Sequence, residues 1–273
     1  NNYKMPELPE VETVTNSIKK HLLDKNFSSL SINWPKTLHN FSIKDFNNQI
    51  KKKQIKSVYR RGKFIIFDFE QCIMAVHLRM TGKLYVQSEI EQSKKHISLF
   101  LKFDDKYLIF EDTRKFGRFY LYDSIDYLND KLGIEPFLED FNEKWLINNL
   151  QKKNRQMKQL LLDQSFIVGL GNIYTDEALW YAKIHPLSKS DSVSVKKIKE
   201  LYKAIKKVLS ESIKMGGSTI RDYTYDYSYV GNYALKLKAY GRNNKKCKRC
   251  NTLITKYKIA QRGTFVCTKC QKK

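Results

Sequence analysis

The spacing of apolar residues changes period twice along the chain. Val11, Val14, Ile18 and Leu22 recur at intervals of three and four, which predicts an amphipathic helix opening near Pro9. A proline is tolerated in the first helical turn, and Glu10 and Glu12 suit the positive end of the helix dipole. From residue 29 to 123 apolar and polar residues alternate instead, with Ile, Val, Phe and Tyr frequent. That period predicts strands over 29–34, 55–59, 64–69, 73–77, 83–86, 97–103, 107–111 and 117–122, with Asp104-Asp105 as a tight hairpin turn. Many short strands with no helix between them imply an antiparallel β-sandwich, flanked here by the first helix.

Around 133–140 the pattern changes again, which marks a domain boundary. Helices are predicted over 143–150, 155–162, 174–182 and 193–215, the last with Val195, Ile198, Leu201, Ile205, Leu209 and Ile213 on its buried face. Gly216-Gly217 supplies a C-terminal stop. The polar, tyrosine-rich stretch 221–233 has no period and is read as a long loop of the functional kind. Two further strands, over 253–259 and 264–266, are expected to turn at Gln261-Arg262-Gly263. The expected organisation is α+β: an N-terminal β-domain over 5–132, a helical domain over 141–235 and a C-terminal ribbon over 239–273.

Composition narrows the partners. A chain of 273 residues with 41% hydrophobic content is an ordinary globular one. No apolar run approaches the roughly 18 residues that a membrane helix needs, and no signal-peptide pattern opens the chain, so a cytoplasmic protein is expected. Lys and Arg number 51 against 28 Asp and Glu, a net charge of +23. The excess is not scattered: no acidic residue follows Asp226, while Lys and Arg continue to Lys273. A one-signed segment of that length is the footprint of a polyanion binder.

Four of the five cysteines, Cys247, Cys250, Cys267 and Cys270, form two Cys-x₂-Cys pairs sixteen residues apart. Four thiolates so spaced make a closed tetrahedral zinc site, structural because no coordination position stays open. Cys72, alone in an apolar run, is expected to be a core residue.

The chemistry starts at the other end. Met5 is expected to be the start and to be removed, which would leave Pro6 with a free secondary amine beside the carboxylate of Glu7. An α-amine titrates at about 7.7–8.0, so a useful fraction is neutral near pH 7, and a neutral secondary amine attacks a carbonyl-level carbon to give an iminium. Lys63 opens a strand after Arg60-Arg61-Gly62, where its ammonium is either solvated or turned into a cleft. Gly169-Leu170-Gly171-Asn172 precedes a helix. It is either a tight interhelical turn or a phosphate cradle, and Lys153, Arg155 and Lys158 nearby favour the cradle. His96 follows two lysines and could meet a phosphate, whereas His77 lies within an apolar strand and is read as a core histidine. Arg262 at a ribbon turn is either solvated or set on a phosphate. Arg114 and Phe116 share the loop Thr113-Arg114-Lys115-Phe116-Gly117, a cation and an aromatic of the kind that can enter a base stack.

Taken together, the sequence resembles the bacterial formamidopyrimidine-DNA glycosylases of the MutM type across essentially all of residues 5–273. The markers are Pro6-Glu7-Leu8-Pro9-Glu10-Val11-Glu12-Thr13, Lys63, Arg114-Lys115-Phe116-Gly117, Gly171-Asn172-Ile173-Tyr174, Gly217-Ser218-Thr219-Ile220-Arg221-Asp222 and the four cysteines with Arg262. The resemblance implies a β-sandwich, a helix-two-turn-helix module and a zinc finger, carried by a monomer that excises oxidised purines from duplex DNA and cleaves abasic sites. It implies Pro6 as nucleophile at C1′, Glu7 as proton donor, Lys63 and Arg262 as helpers in β,δ-elimination, and His96, Lys153 and Asn172 among the DNA contacts. Met80, Arg114 and Phe116 would fill the void left by the flipped base. Such an enzyme would work in the nucleoid, with one structural zinc. Leu8 after Pro-Glu separates the chain from the sister endonuclease VIII type, which opens Pro-Glu-Gly-Pro and prefers oxidised pyrimidines. Thr113 and Lys115 depart from the usual Asp-Pro-Arg-Arg-Phe-Gly loop, and Arg79 and Thr81 flank Met80 where Gly and Ser are usual. A zinc ribbon that binds nucleic acid without chemistry would account for the charge and the finger, and would leave Pro6-Glu7 and Lys63 without a role.

Overall fold

The first half of the chain folds much as its alternation reads. In the computed structural model, which describes residues 5–90, 95–218 and 231–273, helix α1 (Leu8–Leu22) precedes eight strands: β1 (Phe27–Ile32), β2 (Ser57–Arg61), β3 (Phe64–Asp68), β4 (Ile73–His77), β5 (Gly82–Gln87), β6 (Ile97–Phe103), β7 (Lys106–Asp112) and β8 (Arg118–Tyr122). They pair antiparallel into two four-stranded sheets, ordered β1-β6-β7-β5 and β2-β3-β4-β8. Val58, Phe67, Met74 and Phe119 of one sheet meet Leu99, Phe103, Leu108 and Phe110 of the other in one core, and α1 adds Val11, Val14, Ile18 and Leu22 to it. β2 begins two residues later than the alternation predicts: the Ile55 N–H is spent outside the ladder, on Lys25 O at 3.0 Å.

One helix is absent from the hydrophobic pattern. α2 (Ile43–Ile50) buries only Phe46 and Ile50, too few anchors for a period to show. Its start is nevertheless written locally, because Ser42 and Asp45 exchange capping hydrogen bonds.

The described residues divide into two compact units: residues up to Asp130 with 216–218 and Gly231 form the first, Lys131–Met215 and Asn232–Lys273 the second. The four-residue α3 (Asp126–Asn129) closes the first. In the second, α4 (Glu143–Gln151), α5 (Met157–Leu162), α6 (Asn172–Tyr181) and α7 (Val195–Lys214) are followed by the hairpin β9 (Thr255–Ile259) and β10 (Arg262–Val266). The buried face of α7 is Ile198, Leu201, Ala204, Ile205, Val208, Leu209 and Ser212. Val195, placed on that face by its spacing, is 41% exposed. Most of the loop expected over 221–233 lies outside the described residues; Tyr233, at its end, is buried and opens a short 3₁₀ turn.

Candidate DNA-processing site

In the first unit, the backbone geometry at Pro6 and Glu7 is set by α1. Both residues are buried. Glu7 is the N-cap of the helix, and its N–H donates to Glu10 Oε2 at 3.0 Å. The other oxygen of Glu10 accepts from Ser218 N at 2.7 Å and Ser218 Oγ at 3.0 Å, so one carboxylate joins the head of α1 to residues 217–218. Gly217 is required there. Its φ is +90°, and a Cβ would stand 2.9 Å from Glu10 Oε1.

The turn that presents Lys63 is tied to the same helix. Arg60 Nε meets Glu12 Oε2 at 2.6 Å, and Arg60 Nη1 donates to Gly62 O at 3.0 Å. Lys63 itself is 8% exposed, so it is not an ordinary solvated lysine. Burial pushes His77 down to about 3, helped by the charges of Arg79 and then Lys63, which leaves that imidazole neutral. His77 Nδ1 accepts from Arg79 N at 3.0 Å, as befits a core histidine.

Met80, Arg114 and Phe116 converge. Arg114 Nη1 lies 2.9 Å from Met80 Sδ, and the guanidinium stacks 4.6 Å over the Phe116 ring. Phe116 remains 46% exposed. Asp112, which is buried, shapes this loop: Oδ1 accepts from Arg114 N at 3.1 Å and from the Thr81 hydroxyl, while Oδ2 accepts from Phe116 N at 2.8 Å and Gly117 N at 2.7 Å. Gly117 is needed for packing, since a Cβ would sit 2.2 Å from the Phe110 ring. Lys115 takes a left-handed φ of 57° and sets its ammonium 4.0 Å over Trp34. His96, exposed, accepts Asp112 N on its carbonyl at 3.0 Å and so borders the same loop.

The second unit carries the other basic candidates. Lys153 follows α4, with its ammonium 5.9 Å over the Phe166 ring. Arg155 and Lys158 are corrections to the phosphate reading of the glycine segment. Arg155 pairs with Asp163 at 2.7 Å, and Lys158, fully buried, pairs with Asp176. The turn expected at Gln261-Arg262-Gly263 is corrected in position: the hairpin turns at Ala260-Gln261, both with positive φ, and Arg262 opens β10 opposite Ile259. Arg262 is exposed. Asn172 donates Nδ2 to Gly263 O at 2.9 Å, joining the start of α6 to this hairpin.

Residues that periodicity misses hold the second unit together. α6 is buried from Ile173 to Trp180, including Asp176 and Glu177. Asp176 Oδ2 accepts from Phe265 N at 3.0 Å; burial raises its carboxyl to about 6 against the pull of Lys158. Glu177, raised by burial, accepts from Lys238 N, Ala239 N and Tyr240 N at 2.8–2.9 Å. The available signal was an acidic pair inside an otherwise apolar helix, since charges in such a place are almost always partnered.

The four cysteines meet as their spacing predicts. Their sulfurs all lie within 4.8 Å of one another. Trp180 Nε1 donates to Cys247 Sγ at 3.3 Å, and Arg249 stacks 4.0 Å over the Trp180 ring. A hydrogen bond with Thr252 is the first cause that lowers Cys250, to about 6, whereas burial raises Cys267 to about 12. A dication among the sulfurs favours the thiolate of all four, so the donor set fits one structural zinc.

Comparison with known proteins agrees with this arrangement. Three families match in chain order: the formamidopyrimidine-DNA glycosylase N-terminal domain over 5–119, the formamidopyrimidine-DNA glycosylase H2TH domain over 132–224 and the zinc finger found in FPG and IleRS over 244–273. The formamidopyrimidine-DNA glycosylase of Herpetosiphon aurantiacus is 42% identical over 98% of this chain and 100% of its own. The Bacillus subtilis enzyme of the same name is 39% identical with the same coverage. Among solved structures, a Lactococcus lactis Fpg with an abasic site containing DNA superposes with a TM-score of 0.91 at 38% identity, covering 98% of this chain and 100% of that one. A Lactococcus lactis FPG mutant with a Fapy-dG containing DNA gives 0.92 at 37%, with the same coverage. N-terminal domain, helical module and finger thus agree in chain order over 98% of the chain, and the chain belongs to the formamidopyrimidine-DNA glycosylase family.

Proposed function

We propose that the protein is a base-excision DNA glycosylase and abasic-site lyase that removes oxidised purines, such as 8-oxoguanine and formamidopyrimidines, from duplex DNA. The observation that carries this reading is the buried Pro6-Glu7 pair at the head of α1, coupled through Glu12 and Arg60 to the turn that presents Lys63. With Pro6 N-terminal, its neutral amine attacks C1′ of the damaged nucleotide and the base departs with the bonding electrons. Glu7 donates the proton that opens the sugar ring. The resulting iminium acidifies the C2′ proton, so loss of that proton and then of the 3′ phosphate follows as β-elimination. Lys63 and Arg262 assist the eliminations and hold phosphates.

The Met80–Arg114–Phe116 group takes up the space of the extruded base, and its contacts in the protein alone mean little reordering on binding. His96, Lys153 and Asn172 hold backbone phosphates; Asn172 has one amide hydrogen left for this beyond its bond to Gly263 O. The enzyme acts as a monomer in the nucleoid, where a net charge of +23 supports binding to DNA.

Borohydride trapping on abasic-site DNA tests the reading. A protein beginning at Pro6 should form a covalent adduct, and one retaining Met5, whose Pro6 nitrogen is an amide, should form none. Equal trapping by both would remove Pro6 from the nucleophile's role. Faster excision of thymine glycol than of 8-oxoguanine would move the substrate class to oxidised pyrimidines.

A further inference from the structure

Arg262 stands at the turn end of a two-stranded ribbon, and two strands alone hold a side chain poorly. The ribbon is clamped along one edge. Arg262 pairs with Ile259 next to a two-residue turn, so Gly263 and Phe265 direct their backbone groups away from β9. Those outward groups are taken by α6: Gly263 O accepts from Asn172 Nδ2 at 2.9 Å, and Phe265 N donates to Asp176 Oδ2 at 3.0 Å. The spacings agree. Four helical residues rise about 6 Å, and two strand residues advance about 6.8 Å. Asp176 is fully buried and its other oxygen is held by Lys158, also fully buried, so the carboxylate has no freedom to swing.

We infer that Asp176, oriented by Lys158, is a positioning residue for Arg262, and that the Phe265 N–H is the handle by which it sets the ribbon against α6. The inference rests on the reading of Arg262 as a phosphate-holding helper given above. Arg262 lies on the same face of β10 as Thr264 and Val266, both buried, so a slip of one residue would turn all three to the opposite side. The Asn172 bond alone permits the ribbon to pivot about Gly263; the second bond, one helical turn on, removes the pivot.

The test uses the full zinc-bound chain and abasic-site DNA. Lys158→Met with Asp176→Asn removes both charges and keeps an acceptor for Phe265 N. Lys158→Met with Asp176→Ala removes the charges and the acceptor. The asparagine pair should stay within about threefold of the parent in single-turnover strand cleavage, and the alanine pair should fall roughly tenfold or more, the equivalent of one buried hydrogen bond. Both should keep one zinc per chain. In an Arg262→Ala background the difference between the pairs should vanish. Equal rates for the two pairs, a difference that persists without Arg262, or loss of zinc from the alanine pair would each overturn the inference while leaving the reading of Arg262 intact. Full activity of Arg262→Ala alone would overturn that reading, and this inference with it.

Discussion

Asp112 and Asp176 are both buried, and each shapes a segment that presents an exposed arginine. They are stabilised in different ways. Asp112 is surrounded by the Thr81 hydroxyl and three peptide N–H groups, all from residues 114–117. Asp176 accepts one peptide N–H, from 89 residues away, and needs the ammonium of Lys158 as well. A carboxylate that collects several N–H dipoles is solvated by the loop it organises. One that reaches across the fold for a single N–H is not, and burying it demands an opposite charge. The loop that would enter the base stack is therefore shaped largely within its own strand exit, whereas the ribbon depends on a helix, a lysine and a metal.

The largest expected difference between the two regions follows loss of the metal. Structural zinc supplies about 10–16 kcal/mol in finger peptides. Cys250→Ser should therefore release zinc and abolish DNA binding while the first unit keeps its slow-exchanging strands in hydrogen-exchange mass spectrometry. Zinc analysis of an active preparation that finds none would contradict this.

Asp112→Ala comes next. It strands three N–H groups and a hydroxyl, and should lower the local stability of the loop by about 3–5 kcal/mol. Excision of a lesion should then fall further than cleavage of a ready-made abasic site, where no base is extruded. Phe116→Ala should show the same asymmetry with no loss of stability; a uniform slowing of both substrates would break the assigned role.

Acid should separate the regions by sign. His77 is held at about 3, below its ordinary 6.5, so its contribution to stability is present above 6.5 and is lost as the pH falls towards 3. At pH 5.5 the first unit should be weaker by about 1.4 kcal/mol, and His77→Gln should flatten that slope. Asp176 is raised to about 6 from 3.8, so its contribution runs the other way, present below 3.8 and lost as the pH rises through 6. Amide exchange followed between pH 7 and 5 should show protection falling in the first unit but not around α6. The smallest effect belongs to Lys115→Met, which removes a cation from Trp34 and should cost about 0.5–1 kcal/mol, read as a shift in tryptophan emission with excision changed less than twofold.

Strong periodicity and local chemistry could be read directly. β4 and β6 fall where the alternation puts them, and the cysteine spacing brings four sulfurs together. The β9–β10 turn lies earlier than its expected place at Gln261-Arg262-Gly263, because Gly263 has the composition of a turn residue while Ala260 and Gln261 take the positive φ angles. Lys158 departs from the expected phosphate cradle for a similar reason. A lysine beside a glycine segment looks basic and available, and only its burial against Asp176 removes it.

What the sequence determined by itself is whatever depends on neighbours in the chain: the first helix with a proline in its opening turn, the alternation of the sandwich and the metal spacing. Tertiary structure alone decided the long-range partners: Glu10 with Ser218, Glu12 with Arg60, Lys158 with Asp176, and Asp176 with Phe265. A buried charge must find a partner, but nothing in its local sequence names which one. That choice is made by how the elements pack, and it is visible only once they have.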